Sequence, residues 1–177
     1  MATKTTFWSE PNSDPKRKYR FVMYVGGIPL WTVKTTNKPT ANVSTAEHQY
    51  LNHTFKYPGR VTWDPISVTL VDPLNPDVCK SLMDRLKRAG YTEPLGPNVR
   101  ETMSKEKATA ALGTIRIAQI DGEGRPVEEW QLINPWFSKL QFGDLDYSSD
   151  DLNEISVEIT YDYAMLSRGV GPGQAVY

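Results

Sequence analysis

Alternation of apolar and polar residues with period two dominates the chain and predicts a mainly β protein. Residues 18–25 (KYRFVMYV) and 28–35 (IPLWTVKT) are two β-rich runs flanking Gly26-Gly27. Glycine supplies the positive φ of a tight turn, so the two runs predict a hairpin. A polar connection follows, TNKPTANVSTAEHQYLN, in which Ser44 and Glu47 have the spacing of a capping box over a short helix. The stretch NHTFKYPGRVTWDPISVTLVD, residues 52–72, then alternates at both ends but is interrupted by Pro65. Val61 and Trp63 share one parity, whereas Ile66, Val68 and Leu70 share the other. The apolar phase flips at Asp64-Pro65, where a missing donor is tolerated, and this predicts a bend that lets one strand serve two sheets.

Residues 75–90 (NPDVCKSLMDRLKRAG) carry the pattern of a helix, with Asn75 as cap, Pro76 in the first turn and Gly90 as stop. Val78, Cys79, Leu82, Met83 and Leu86 form its apolar stripe, so Cys79 is expected to be a buried structural thiol. After a charged, Pro-containing loop, residues 111–120 and 126–134 read as a second hairpin around the turn DGEG. The run FSKLQF and a final amphipathic strand, NEISVEITYDYAML, complete the pattern. Residues 1–16 and 167–177 are polar or glycine-rich and read as mobile arms around one domain, residues 17–166.

The length of 177 residues suffices for one ordinary core. A net charge of -1 gives no footprint of stable nucleic-acid binding, although seven acidic residues and no Lys or Arg fall between Asp144 and Asp162. The single cysteine excludes an internal disulfide, and no apolar run approaches the ~20 residues of a membrane-spanning helix. Catalytic chemistry is not evident. His48 and His53 have no neighbouring Cys or acidic residue at ligand spacing, and GVGPGQ near the end lacks the Lys-Ser/Thr of a phosphate loop. In GDLDYSSDDLNE, Asp144, Asp146 and Ser148 fit the first positions of a calcium loop, but Ser149 replaces the required glycine and Ile155 the bidentate glutamate. No enzyme activity, cofactor or metal is therefore expected. Tyr57, Trp63, Trp130, Trp136 and Phe137 read as core or interface residues, with a sugar-binding face of a β-sandwich module as the alternative.

The order of hairpin, long polar connection, NHTFKYPGRVTWDPISVTLVD, helix, and LINPWFSKLQFGDLDYSSDDLNEISVEITYDYA resembles the tail tube proteins of contractile-tailed, T-even-like bacteriophages over residues 17–165. This resemblance implies two packed antiparallel sheets in a β-sandwich or barrel with one flanking helix. It also implies homohexameric rings stacked into a tube, with sheath, baseplate and tail terminator proteins as partners. Double-stranded DNA would pass only in transit, no membrane is involved, and the protein would reside in the virion tail after assembly in the host cytoplasm. The connection from 36 to 60, carrying Asn42, Glu47, His48, Tyr50, Phe55, Lys56 and Arg60, would join successive rings. Glu154, Glu158 and Asp162, on the polar face of the last strand, are expected to look onto the lumen or its rim. A baseplate tube initiator and the tube of a related secretion or injection system are the alternatives within this fold.

Overall fold

The computed structural model describes residues 15–26, 28–94 and 100–168. Two four-stranded antiparallel sheets face one another. The first contains β1 (Phe21–Val25), β6 (Ile115–Ile120), β7 (Pro126–Ile133) and β10 (Tyr163–Arg168), in the order β1-β6-β7-β10. The second contains β2 (Val33–Thr36), β5 (Ile66–Val71), β9 (Glu154–Thr160) and β8 (Trp136–Gln141), in the order β2-β5-β9-β8. A separate two-stranded ribbon is made of β3 (Thr40–Tyr50) and β4 (His53–Asp64). Met23, Val25, Ile115, Ile117 and Leu132 of the first sheet meet Ile66, Val68, Leu70, Ile155, Val157 and Ile159 of the second in one core. These are the inward residues of each alternating run, which is why the period-two reading of the sequence succeeds.

The expected strand break is present. β4 ends at Asp64, β5 starts at Ile66, and the two belong to different sheets. The expected hairpin around Gly26-Gly27 is not formed, although Gly27 itself lies outside the described residues. β1 pairs with β6 and β2 with β5, so the chain crosses between sheets through a short 3-10 turn at Leu30–Thr32. Local bonds hold this crossover: Ile28 N–H donates to the Val25 carbonyl and Thr32 Oγ1 to the Pro29 carbonyl. The final amphipathic run is likewise two strands. β9 ends at Thr160, and the chain turns at Tyr161-Asp162 into β10 of the other sheet, with Asp162 N–H donating to the Ile133 carbonyl. The hairpin β6–β7 forms as expected. Of the expected arms, residues 1–14 and 169–177 lie outside the described residues, whereas Ser167 and Arg168 finish β10.

There are two helices among the described residues rather than the expected one. Helix α1 (Val78–Arg88) begins later than expected: Asp77, not Asn75, is its cap and accepts from Lys80 N–H at 2.8 Å. The Asp72 carboxylate also accepts from the Val78 and Cys79 amides, satisfying donors that a helix start leaves open. Cys79 is half-buried in the expected stripe, and burial pushes its thiol pKa up, away from reactivity. Helix α2 (Lys105–Leu112) takes the segment expected to begin a strand at Ala111. Ser104 caps it and Leu112 enters the core. Its Lys-Glu-Lys-Ala-Thr-Ala-Ala sequence is made largely of strong helix formers.

Arg85 joins these pieces. Only 8 % exposed, it sits on α1 and donates to the Gly26 carbonyl at the end of β1 and, at 3.2 Å, to the Ala111 carbonyl in the last turn of α2. Its partners are carbonyl dipoles at a helix C-terminus and a turn, which favour a cation there. Burial, followed by the nearby Arg88, lowers its pKa. Arg85→Ala should leave both carbonyls unsatisfied and cost on the order of 2 kcal/mol in urea unfolding; unchanged stability would remove Arg85 from this role.

A second polar clamp lies on β7. Burial disfavours the charged form of Glu128, but hydrogen bonds from Lys16, Lys38 and Trp130 outweigh it and hold the carboxyl at about 2, below its ordinary 4.5. Lys38 Nζ is 2.7 Å and Trp130 Nε1 2.6 Å from this carboxylate. A depressed carboxyl contributes stability that is complete above its unfolded pKa and is lost as pH falls toward the folded value. Between about pH 5 and 2, the native protein should therefore lose on the order of 2 kcal/mol more stability than Glu128→Gln, read by urea unfolding at several pH values.

Candidate functional site: a projecting hairpin

The ribbon β3–β4 pairs with no other strand in the described residues, and every residue from 40 to 62 is exposed. An 11-residue strand reaches ~35 Å at ordinary rise. Such a ribbon is marginal by itself, so its root carries the burden of placing it. Asn37 Oδ1 accepts from Ser67 N–H of the second sheet at 2.6 Å, while Lys38 bonds Gln119 and Glu128 of the first. Asn42 donates across the ribbon to Asp64 at 2.6 Å, and Trp63 packs on Tyr161 with ring centroids 6.2 Å apart. The short helix expected around Ser44 and Glu47 is absent because both residues serve the ribbon. Ser44 Oγ accepts from Arg60 N–H at 2.9 Å, and Glu47 lies opposite Lys56 with a 3.6 Å ion pair.

The pairing slips between Val43 and Thr45, so Ser44 faces two residues, Gly59 and Arg60. A Cβ at Gly59 would come within 2.3 Å of Ser44 Oγ and 3.0 Å of its carbonyl oxygen, which explains the glycine. This bulge redistributes the apolar side chains. Nearer the root, Ala41, Val43, Val61 and Trp63 share one face by register. Beyond the bulge, that face carries Thr45, Glu47, Gln49, Thr54 and Lys56, while Ala46, Tyr50, Phe55 and Tyr57 lie on the opposite face with His48 and His53. Val61, expected to serve the core, is 56 % exposed; Trp63 alone of that pair packs against the core. Tyr50, Phe55 and Tyr57 are also at least half exposed. Contiguous exposed aromatics of this kind mark an interaction surface.

The structure thus gathers Asn42, Glu47, His48, Tyr50, Phe55, Lys56 and Arg60 on one ribbon, with Asn42 at its root and Tyr50 next to its tip. Leu51 and Val43 were not singled out from sequence. Leu51 occupies the tip with φ 51° and 85 % exposure, a backbone region disfavoured for leucine. The three expected lumen carboxylates separate. Glu154 pairs with Lys34 at one end of β9. Asp162 lies beyond the other end, where Lys105 and Asn134 bond it and lower its pKa. Glu158 stands mid-strand on the outward face of the second sheet, register-paired with Ser67 and Lys139, and makes no ion pair among the described residues.

Trp63, Trp130 and Phe137 pack against the core, Trp136 lies 6.0 Å beneath Lys105 Nζ, and Tyr57 stands on the ribbon. They therefore do not form one exposed platform, and the core-or-interface reading accounts for them better than a sugar-binding face. Among the described residues no group of His, Cys, Asp or Glu is arranged to hold a metal ion, and no helix is long and apolar enough to cross a membrane.

No protein-family model matches the sequence, and no curated protein matches it. Solved structures do match. A chain of the cryo-EM structure of the anti-feeding prophage tube terminating cap superposes with a TM-score of 0.66 at 16% identity, covering 95% of this chain and 99% of that one. A chain of the six-fold symmetrised anti-feeding prophage baseplate gives 0.63 at 16% identity, covering 88% and 97%. A chain of an extracellular contractile injection system, the PVC sheath-tube complex in its extended state, gives 0.63 at 18% identity, covering 87% and 92%. Coverage is nearly complete in both directions, so the likeness extends over the whole domain rather than a shared sheet. The chain has the fold found in the tube and cap assemblies of contractile injection systems.

Proposed function

We propose that this chain is a structural subunit of the inner tube of a contractile tail, forming hexameric rings that stack through the β3–β4 ribbon. The observation that carries the reading is the ribbon itself: long, rooted to both sheets, exposed from 40 to 62, and apolar on opposite faces either side of its bulge. One partner surface covers only one face of a ribbon. Val43 and Val61 therefore call for one neighbour, and Tyr50, Phe55 and Tyr57 for another. A ribbon seated between two copies satisfies both, and repetition around a ring converts modest contacts into a stable polymer. Within the ring, β10 supplies a sheet edge with no further strand on it among the described residues and with exposed Tyr163, Met165 and Leu166, the kind of edge that another copy protects.

In this assembly the outward face of the second sheet lines the lumen, with Ser67, Thr69, Ser156, Glu158 and Thr160 following the alternation of β5 and β9. Glu158 stands there opposite Lys139, Glu154 lies at the rim with Lys34, and Asp162 at the opposite end. A wall of small hydroxyl side chains whose cations, Lys34 and Lys139, each face a carboxylate lowers the retention of DNA, the cargo expected of a virion tail. A tube passing protein is the second reading, favoured by the likeness to a chain of an extracellular contractile injection system. Sheath, baseplate and terminator proteins are the partners in either case.

Electron microscopy of the purified chain should show rings and tubes. Replacing residues 44–60 with a short turn should leave a folded protein with Tm within about 3 °C of native and abolish long tubes. Monomers from the native chain at every concentration, or native-length tubes from the truncated one, would overturn the proposal. A tube reconstruction with Glu158 on the outer wall would overturn the lumen assignment alone.

A further inference from the structure

The ribbon and the acidic loop occupy opposite ends of the second sheet. In the β5–β9 register, Ile66 pairs with Ile159 at the ribbon end and Val71 with Glu154 at the other. Gln141 of β8 pairs with Ser156, so the loop of residues 142–153 joins β8 to β9 at that far end. There it walls an open groove of about 870 Å³, bordered by Lys34, Gln141, Asp144, Leu145, Asp151 and Leu152. The groove is mixed in character. Leu145 and Leu152 are 93% and 72% exposed, interleaved with Asp144, Asp146 and Asp151. Lys34, its cation, is engaged by Glu154.

We propose that the ribbon tip of one copy seats in this groove of the next copy along the stack. The inference rests on the tube reading above and names the receptor for its axial contact. Three observations meet. The first is placement: a donor at one end and a receptor at the other make a heterologous contact that cannot close on itself axially and so propagates. The second is charge. Residues 45–60 carry Lys56 and Arg60 against Glu47, whereas residues 143–153 carry four aspartates and no Lys or Arg. Arg60 makes no side-chain ion pair among the described residues, and Asp144 likewise makes none. The third is the tip. Leu51 projects from the tip with near-complete exposure, an apolar surface that is covered when the side chain packs on Leu145 and Leu152.

The test is reciprocal charge reversal in the full chain, read as tube length and ring count by electron microscopy. Asp144→Lys with Asp151→Lys should leave rings intact and shorten tubes at least tenfold. Adding Lys56→Glu and Arg60→Glu to the same chain should restore at least half the native length. Native-length tubes from the loop variant, or shortening that the reciprocal change does not repair, would overturn this contact while leaving the tube reading in place. Failure of the unmodified chain to form rings would instead remove the tube reading, and this contact with it.

Discussion

A β-strand alternates its side chains between two faces, so a strand that leaves one sheet for another has to break its alternation where it crosses. Two such breaks organise this protein, and they are neighbours in space. Pro65 separates β4 from β5, and Tyr161-Asp162 separates β9 from β10. Ile66 and Ile159, the residues adjoining the two breaks, face each other in the register, and Trp63 packs on Tyr161 across them. The second sheet therefore ends where the ribbon begins. Without this double crossing, β4 would continue into the core or out of it, but could not do both.

The crossing is apolar, whereas the surrounding root is held by directed polar contacts. Asn37, Lys38, Asn42, Asp64 and Glu128 tie the ribbon to both sheets with geometry that hydrophobic packing alone would not specify. These bonds are exposed and each contributes modestly to net stability, and only at Glu128, whose side chain is largely buried, does a misplaced partner leave a polar group unsatisfied. The root thus fixes direction, while the ribbon beyond it stands exposed. The acidic loop at the other end of the same sheet gives the subunit a polarity along one axis. In the proposed tube, such a polarity suits linear assembly rather than a closed dimer.

Much of this was legible in the sequence, and particular residues show why. The parity flip at Asp64-Pro65 marked the sheet crossing because proline and phase pointed the same way. The β6–β7 hairpin was legible from its DGEG turn. Three features were not. Gly26-Gly27 looks like a hairpin turn, but the Gly26 carbonyl is taken by Arg85, a residue 59 positions away that local pattern does not connect. Helix α2 is short and only weakly amphipathic, so its core residue Leu112 reads equally well as the start of a strand. The continuous alternation of Ile155 to Tyr163 concealed the second crossing: the inward phase passes to Ala164, which lies opposite Leu132 against the core, while Tyr163 is exposed, yet the apolar pattern runs on unbroken through Tyr163.

The sequence by itself determined a mainly β sandwich, one strand that serves two sheets and an uncommitted polar segment before it, because period, proline and polarity are local quantities. Only the tertiary structure decided what that segment is. Phe55, Tyr57, Val61 and Trp63 share one sequence parity and by alternation would lie on one face. The bulge at Ser44 opposite Gly59 and Arg60 places the first two and the last two on opposite faces. A register slip is a property of two paired strands, so neither strand's sequence read alone contains it.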